Sequence, residues 1–270
     1  MNAFIHHFAF EFRAGIRHKQ LLLMNYLFPL GFYLLMGFIL AEINPTFRED
    51  MIPSMVVFST LAATLQGIPI TLATAREKGI LRSYKINGVP AISVLSITAL
   101  TTILHLVIMT VFIIISAPVL FDAHVPRNWL NFVLTFSVLT INYASLSVLI
   151  GVVCPSSRVT ILWSQFIFVI SILLGGLMFP HNMLPDAARI MSRLLPATHA
   201  MNAFKSLAMG KGADLSPWGS IAVLLLGSLL AFALAVYLFS WDQHNATRRG
   251  HPLLGILAFL PLAVSVFLLP

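Results

Sequence analysis

Long apolar stretches alternate with short polar intervals along the chain. Stretches free of Asp, Glu, Lys and Arg cover residues 21–41, 52–75, 91–121, 129–153, 159–179 and 217–241. Each is long enough to cross a hydrocarbon core of about 30 Å as a helix. Every charged side chain lies in the intervals, as expected where lipid penalises charge. The pattern predicts an all-α polytopic membrane protein with six transmembrane helices. A seventh apolar segment, 253–269, contains Pro261. As a straight α-helix it would reach only about 26 Å, and the proline would kink it. A seventh span and a re-entrant or interfacial segment both fit it; a span would place the C-terminus outside.

The polar intervals differ in sign. Arg13, Arg17, Lys19, Arg76, Lys78, Arg82, Lys85, Arg158, Arg248 and Arg249 all fall on one side of a six-span topology. Short loops rich in Lys and Arg stay in the cytosol, so this side and the N-terminus are expected there. The opposite intervals carry Glu42, Glu49, Asp50 and Asp122 against Arg48 and Arg127. Residues 180–216 are the exception, with Arg189, Arg193, Lys205 and Lys211 on the outer side. Asp186, Arg189 and Arg193 share one helical face there, and Ile190, Met191, Leu194 and Leu195 the other. A second short helix is expected from about His199 to Met209, stopped by Gly210. Two short helices dipping toward the outer interface would account for the length and charge of this loop. Before the first span, Phe4, Phe8, Phe12 and Ile16 recur every four residues, the stripe of a helix lying on the cytosolic leaflet. Its apolar continuation is too long for a cleavable signal peptide.

Composition agrees with the bilayer as solvent. The 270 residues are 59% hydrophobic and 9% charged, where a soluble domain carries about 25% charged residues. The net charge of +7 reflects the basic face, and no nucleic-acid partner is expected. A single Cys excludes an internal disulfide framework and multi-Cys metal sites. The nine His residues form no His-x-x-x-His pair and lie on both sides, so no metal site is predicted. His105, alone in mid-span, reads as a neutral, hydrogen-bonded side chain, with some claim to function as an intramembrane ionisable group. Trp129, Trp218 and Trp241 mark span ends as interfacial anchors.

Within the spans, Thr60, Thr64, Gly67, Thr71 and Thr74 follow a 4-3-4-3 spacing on one face of the second helix. Small and hydroxylated residues at this spacing suit close helix packing. Ser137, Thr140, Ala144, Ser147 and Gly151 repeat the pattern on the fourth, and there packing is the reading. Gln66 and Gln165 lie inside the second and fifth spans; a neighbouring helix or a polar group on a substrate would satisfy either amide.

The most informative interval runs from Ala75 to Pro90. Ile80, Leu81 and Tyr84 give a short apolar face among charges, and Gly88 with Pro90 stops the helix. A soluble partner gripping such a helix would move two spans together; a basic loop held by anionic headgroups would show the same composition. The run Arg76-Glu77-Lys78-Gly79-Ile80-Leu81 before Pro90 resembles the coupling-helix motif of type-two ATP-binding-cassette (ABC) export permeases, although Ile80 stands where that family often has Thr. A second resemblance lies in Gly175-Gly176-Leu177-Met178-Phe179-Pro180, Leu184-Pro185 and Leu195-Pro196-Ala197-Thr198-His199-Ala200. It is similar to the Gly/Pro signature at the outer end of the family's fifth span. The likeness covers roughly residues 1–245, with 1–250 as the transmembrane domain and 251–270 as an added hydrophobic segment.

The resemblance implies the transmembrane subunit of an ATP-driven exporter in the cytoplasmic (inner) membrane. It is not itself an enzyme, because the phosphate-binding Gly-x-x-x-x-Gly-Lys-Ser/Thr run is absent. ATP and Mg would sit on a separate ABC ATPase subunit, with no cofactor bound by this chain. Two copies, or one copy and a similar permease, would pair within the lipid bilayer. Arg76, Glu77, Gly79, Ile80, Leu81 and Tyr84 would couple to the ATPase, Glu77 and Gly79 by positioning the helix and Ile80, Leu81 and Tyr84 by insertion. Thr60, Thr64, Gln66, Thr71 and Gln165 would line the substrate path, and Gly175, Gly176, Pro180, Pro185, Pro196 and His199 would form the outer re-entrant motif. A charge-free interior suits a hydrophobic or amphiphilic substrate, drug-like or lipid; an exporter of lipid-linked glycans and an ion-driven secondary transporter are the rival functions.

Overall fold

The computed structural model describes residues 12–13, 19–44, 47–178, 183–242 and 250–268. Most of the Phe4, Phe8, Phe12 and Ile16 stripe, and Pro180, lie outside the described residues. The six charge-free stretches each become one long apolar helix: α1 (Leu23–Ile43), α2 (Phe47–Glu77), α4 (Ala91–Phe121), α5 (Trp129–Val153), α6 (Ser157–Leu174) and α9 (Pro217–Leu238). Short helices fill the intervals: α3 (Ile80–Ile86) between α2 and α4, then α7 (Asp186–Ser192) and α8 (Pro196–Ala203) between α6 and α9. A last apolar helix, α10 (Pro252–Leu268), ends the described chain. The protein is all-helical, with no strand among the described residues.

Helix starts follow local chemistry. The side chains of Asn128, Ser156 and Ser216 accept from the backbone N–H of Asn131, Val159 and Gly219, capping α5, α6 and α9. Pro196 and Pro217 occupy first-turn positions, where a missing N–H costs nothing.

The core is a central pair. α2 and α5 are buried along most of their length, whereas little of α1 and α6 is buried. α1, α4 and α6 flank α2, and α9 covers the other side of α5. Lipid tails compete with apolar side chains for one another, so helix association in a bilayer rests on close fit and polar bonds. Both are present. A Cβ on Gly151 would lie 3.0 Å from the Pro69 carbonyl oxygen and 3.1 Å from the Leu72 Cβ. Thr140, Ala144 and Ser147 of the same stripe are buried, and Asn142 donates to the Leu224 carbonyl of α9 at 2.7 Å.

The exceptional basic loop has local counter-charges. Lys205 pairs with Asp50 at 3.1 Å, and Lys211 with Asp50 at 2.6 Å and Glu49 at 2.9 Å. Arg189 pairs with Asp186 at 2.9 Å. The acidic start of α2 therefore offsets both lysines. The helix expected at His199–Met209 begins three residues earlier and widens into a π-helical turn, Phe204–Ala208. Every residue of α8 is buried, so it is part of the core and not amphipathic. Ile190 and Met191 of α7 are exposed.

α10 is not one α-helix. Pro252–Phe259 is wound as a 3₁₀ helix and Leu260–Leu268 as an α-helix. Pro261 sits in the first turn of the α-helical part, where the ring is tolerated, and its clash with the carbonyl four residues back disfavours α-winding just before it.

Candidate functional site

The site begins at the end of α2. Arg76 is 3% exposed, and its guanidinium donates to the Val152 carbonyl at 2.8 Å and to the Cys154 carbonyl. These are carbonyls at the C-terminus of α5, where a cation is favoured by the helix dipole. The adjacent Glu77 accepts from the Ser157 N–H at 2.6 Å, at the N-terminus of α6, where an anion is favoured. Two consecutive side chains thus grip both sides of the α5–α6 turn. Gly79 follows with φ +72°, a left-handed conformation that an L side chain resists, and it reverses the chain into α3. Leu81 is buried at 2% exposure, whereas Ile80 and Ile86 are exposed and Tyr84 is partly exposed. Leu81 anchors α3 to its own protein; the outward apolar positions are Ile80 and Ile86, with Tyr84 beside them.

The five candidate path residues separate by burial. Thr60 and Thr64 are fully buried, and their hydroxyls donate to the Val56 and Thr60 carbonyls of their own helix. Thr71 is half-buried and donates to the Gly67 carbonyl. Gln66 and Gln165 meet: the Gln66 amide donates to the Gln165 amide oxygen at 2.8 Å, bridging α2 and α6 on an open face. A Gln–Gln bond leaves further donors and acceptors on each amide unused.

At the opposite end, a Cβ on Gly175 would lie 2.2 Å from the Ser171 carbonyl and 2.7 Å from the Ala197 Cβ. Only glycine lets α6 end against α8 in this way. Gly176 follows with positive φ, Pro185 precedes α7 and Pro196 opens α8. His199 is fully buried. Its Nε2 is 2.9 Å from the Arg193 carbonyl, and its Nδ1 is 3.4 Å from the Ser220 hydroxyl of α9. Asn202 donates to the Leu215 carbonyl and the Ser220 hydroxyl, and accepts from the Asp214 and Leu215 N–H groups. Asn202 and Ser220 were not candidates from the sequence, because a lone Asn beside an apolar helix carries no spacing signal.

A family model described as ABC-2 type transporter matches residues 3–209. The chain belongs to the ABC-2 type transporter family. It is 22% identical over 232 residues to the "Putative transport permease YvfS" of Bacillus subtilis, covering 84% of this chain and 93% of that protein. It is 24% identical over 116 residues to nodulation protein J of Rhizobium meliloti, 42% of each chain. No solved structure matches it significantly. As an ABC-2 type permease the chain is a multi-pass transmembrane subunit of a transporter that works with an ATPase subunit. The Arg76–Ile86 and Gly175–His199 regions both lie inside the matched range.

Proposed function

We propose that this ABC-2 type permease pairs with a second copy, or with a similar permease, to form the membrane part of an exporter. Its substrate is hydrophobic or amphiphilic, drug-like or lipid. In this reading the N-terminus and α3 lie in the cytosol, and the ATPase subunit, which holds ATP and Mg, docks on Ile80, Tyr84 and Ile86.

The observation that carries the proposal is the double grip of Arg76 and Glu77. A push on α3 reaches α2 directly, through Gly79. The same push reaches the α5–α6 turn through the side-chain bonds of Arg76 and Glu77. ATP-driven closure of the ATPase pair then moves α2 and α6 at one time. Gln66 and Gln165 sit where those helices meet, so their bond is the one that a relative movement of α2 and α6 would exchange for a substrate's polar group. The equilibrium between inward- and outward-facing states shifts only as far as each ligand prefers one of them.

Two measurements test the proposal. In inverted vesicles holding the permease and its ATPase, uptake of a fluorescent amphiphilic dye is expected with ATP. Uptake driven by a proton gradient alone would instead make the chain an ion-driven carrier. Glu77→Arg and Tyr84→Ala are each expected to cut ATP-driven transport at least tenfold at unchanged membrane abundance. Normal transport by both would remove α3 from the coupling path.

A further inference from the structure

A small, partly open cavity of about 30 Å³ lies among α1, α2 and α4, bounded by Asn25, Gly67, Thr71, Thr98, Thr101 and His105 together with apolar side chains. It is distinct from the Gln66–Gln165 face and from both ends of the bundle. Asn25 and His105 are 4% and 2% exposed. Asn25 Oδ1 and His105 Nε2 are both buried without a hydrogen-bond partner among the described residues. α1 opens with a π-helical turn, Leu23–Leu27, that contains Asn25; single π-turns inside helices often mark functional positions.

The protons around this space define what it accepts. The Tyr26 hydroxyl lies 2.7 Å from His105 Nδ1. Phenol and imidazole can pair there in either sense, so Nε2 offers an N–H or a lone pair according to the tautomer. Asn25 Oδ1 is an acceptor. The hydroxyls of Thr71, Thr98 and Thr101 donate to the carbonyls of Gly67, Val94 and Ile97, so only lone pairs remain for the cavity. The occupant must donate to Asn25 Oδ1 and match either state of Nε2, which a water does. A metal or alkali cation is disfavoured, because the charge-free spans supply no carboxylate to offset its desolvation. A cavity of this size holds a single water, which needs two to four polar partners.

We infer that α1, α2 and α4 hold one ordered water, bonded to His105 Nε2 and donating to Asn25 Oδ1. The water makes a polar joint between the π-turn of α1 and the middle of α4, against the second span. The Phe12 ring stacks on His105 with centroids 4.7 Å apart and closes one face of the imidazole.

Gly67→Ala tests the site by the sign of its effect. A Cβ there would lie 3.7 Å from Leu21 Cδ2 and 4.0 Å from Asn25 Oδ1, ordinary contact that takes up the space of the water. Alanine also raises helix propensity over glycine. With a water present, the methyl displaces it and strands two polar atoms, so the Tm of the full chain in lipid nanodiscs is expected to fall by several degrees. In a dry cavity the same methyl fills a void, and the Tm would rise. The second readout is magnetisation transfer from slowly exchanging water to the imidazole ¹⁵N in solid-state NMR. It is expected at His105, identified by loss of the signal in His105→Gln, and it should disappear in Gly67→Ala. A raised Tm, or no water transfer to His105 in the unmodified chain, would overturn the inference.

Discussion

Arg76 carries two interactions that no other side chain could supply together. The planar guanidinium reaches two carbonyls at the end of α5 at once, whereas a lysine ammonium is a single point charge on a flexible stem. Arg76→Ala is expected to lower stability by about 2–4 kcal/mol, the range for losing hydrogen bonds to a buried charged donor, with Arg76→Lys intermediate. Cys154, the chain's single Cys, reports the loss. Its thiol is buried, and burial raises its pKa, outweighing the opposing effects of Thr160 and the Arg76 charge. Maleimide labelling of the unmodified protein should therefore be slow from either side of the membrane. In Arg76→Ala the lost attraction to the guanidinium is the smaller effect and the opened turn the larger, so labelling is expected to accelerate at least several-fold. An unchanged rate would separate Arg76 from the α5–α6 turn. Arg76 and Glu77 stood out in the sequence through the motif around them. Their partners did not, because Val152, Cys154 and Ser157 contribute backbone groups, which leave no mark on the sequence. Gln66 and Gln165 were legible as intramembrane amides; their pairing across 99 residues was not, since nothing in either helix encodes which neighbour it meets.

Among the elements, the long helices follow the absence of charge so closely that their number and order could be read directly, while their winding could not. α10 shows why. A 17-residue α-helix falls short of the hydrocarbon core, but a 3₁₀ helix rises about 2.0 Å per residue, and the observed combination extends to about 30 Å. The segment also has partners along its whole length. A Cβ on Gly255 would lie 3.2 Å from a Val153 methyl, near the α5–α6 turn, and the Ser265 hydroxyl is 3.3 Å from His199 Nε2 beside the start of α9. It therefore runs antiparallel to α9 from one end of the bundle to the other. Fusion reporters are expected to place residue 270 on the membrane face opposite the N-terminus; both termini on one face would make α10 re-entrant. Removing residues 252–270 should also lower the Tm, because Ser265 no longer meets His199 and a face of α9 is uncovered.

Across the whole molecule, charge is managed by pairing ends of the chain that the topology brings together. The acidic first turn of α2 stabilises that helix through its dipole and also faces Lys205 and Lys211. Such a contact explains how a basic loop can stand opposite the basic face without contradicting the orientation counted from short loops. The side chains involved are 19–30% exposed at Lys205, Asp50 and Lys211, between fully screened and fully buried pairs. Asp50→Asn breaks both of its pairs, while Glu49 still holds Lys211. The expected loss is about 1–3 kcal/mol, above the worth of surface pairs and below the cost of stranding a fully buried charge. Salt should weaken the unmodified protein more than the variant. The pH dependence has a definite sign. Burial pulls the Lys211 ammonium down, but its bonds to Asp50 and Glu49 more than offset this and raise its pKa above the ordinary 10.5. A raised pKa in the folded state stabilises the protein at neutral pH, and that contribution is lost as pH rises through the folded value. Thermal unfolding in nanodiscs should accordingly show a smaller difference between the unmodified protein and Asp50→Asn at alkaline pH than at pH 7. A difference that does not change with pH would mean that Asp50 acts through the α2 helix alone and not through Lys211.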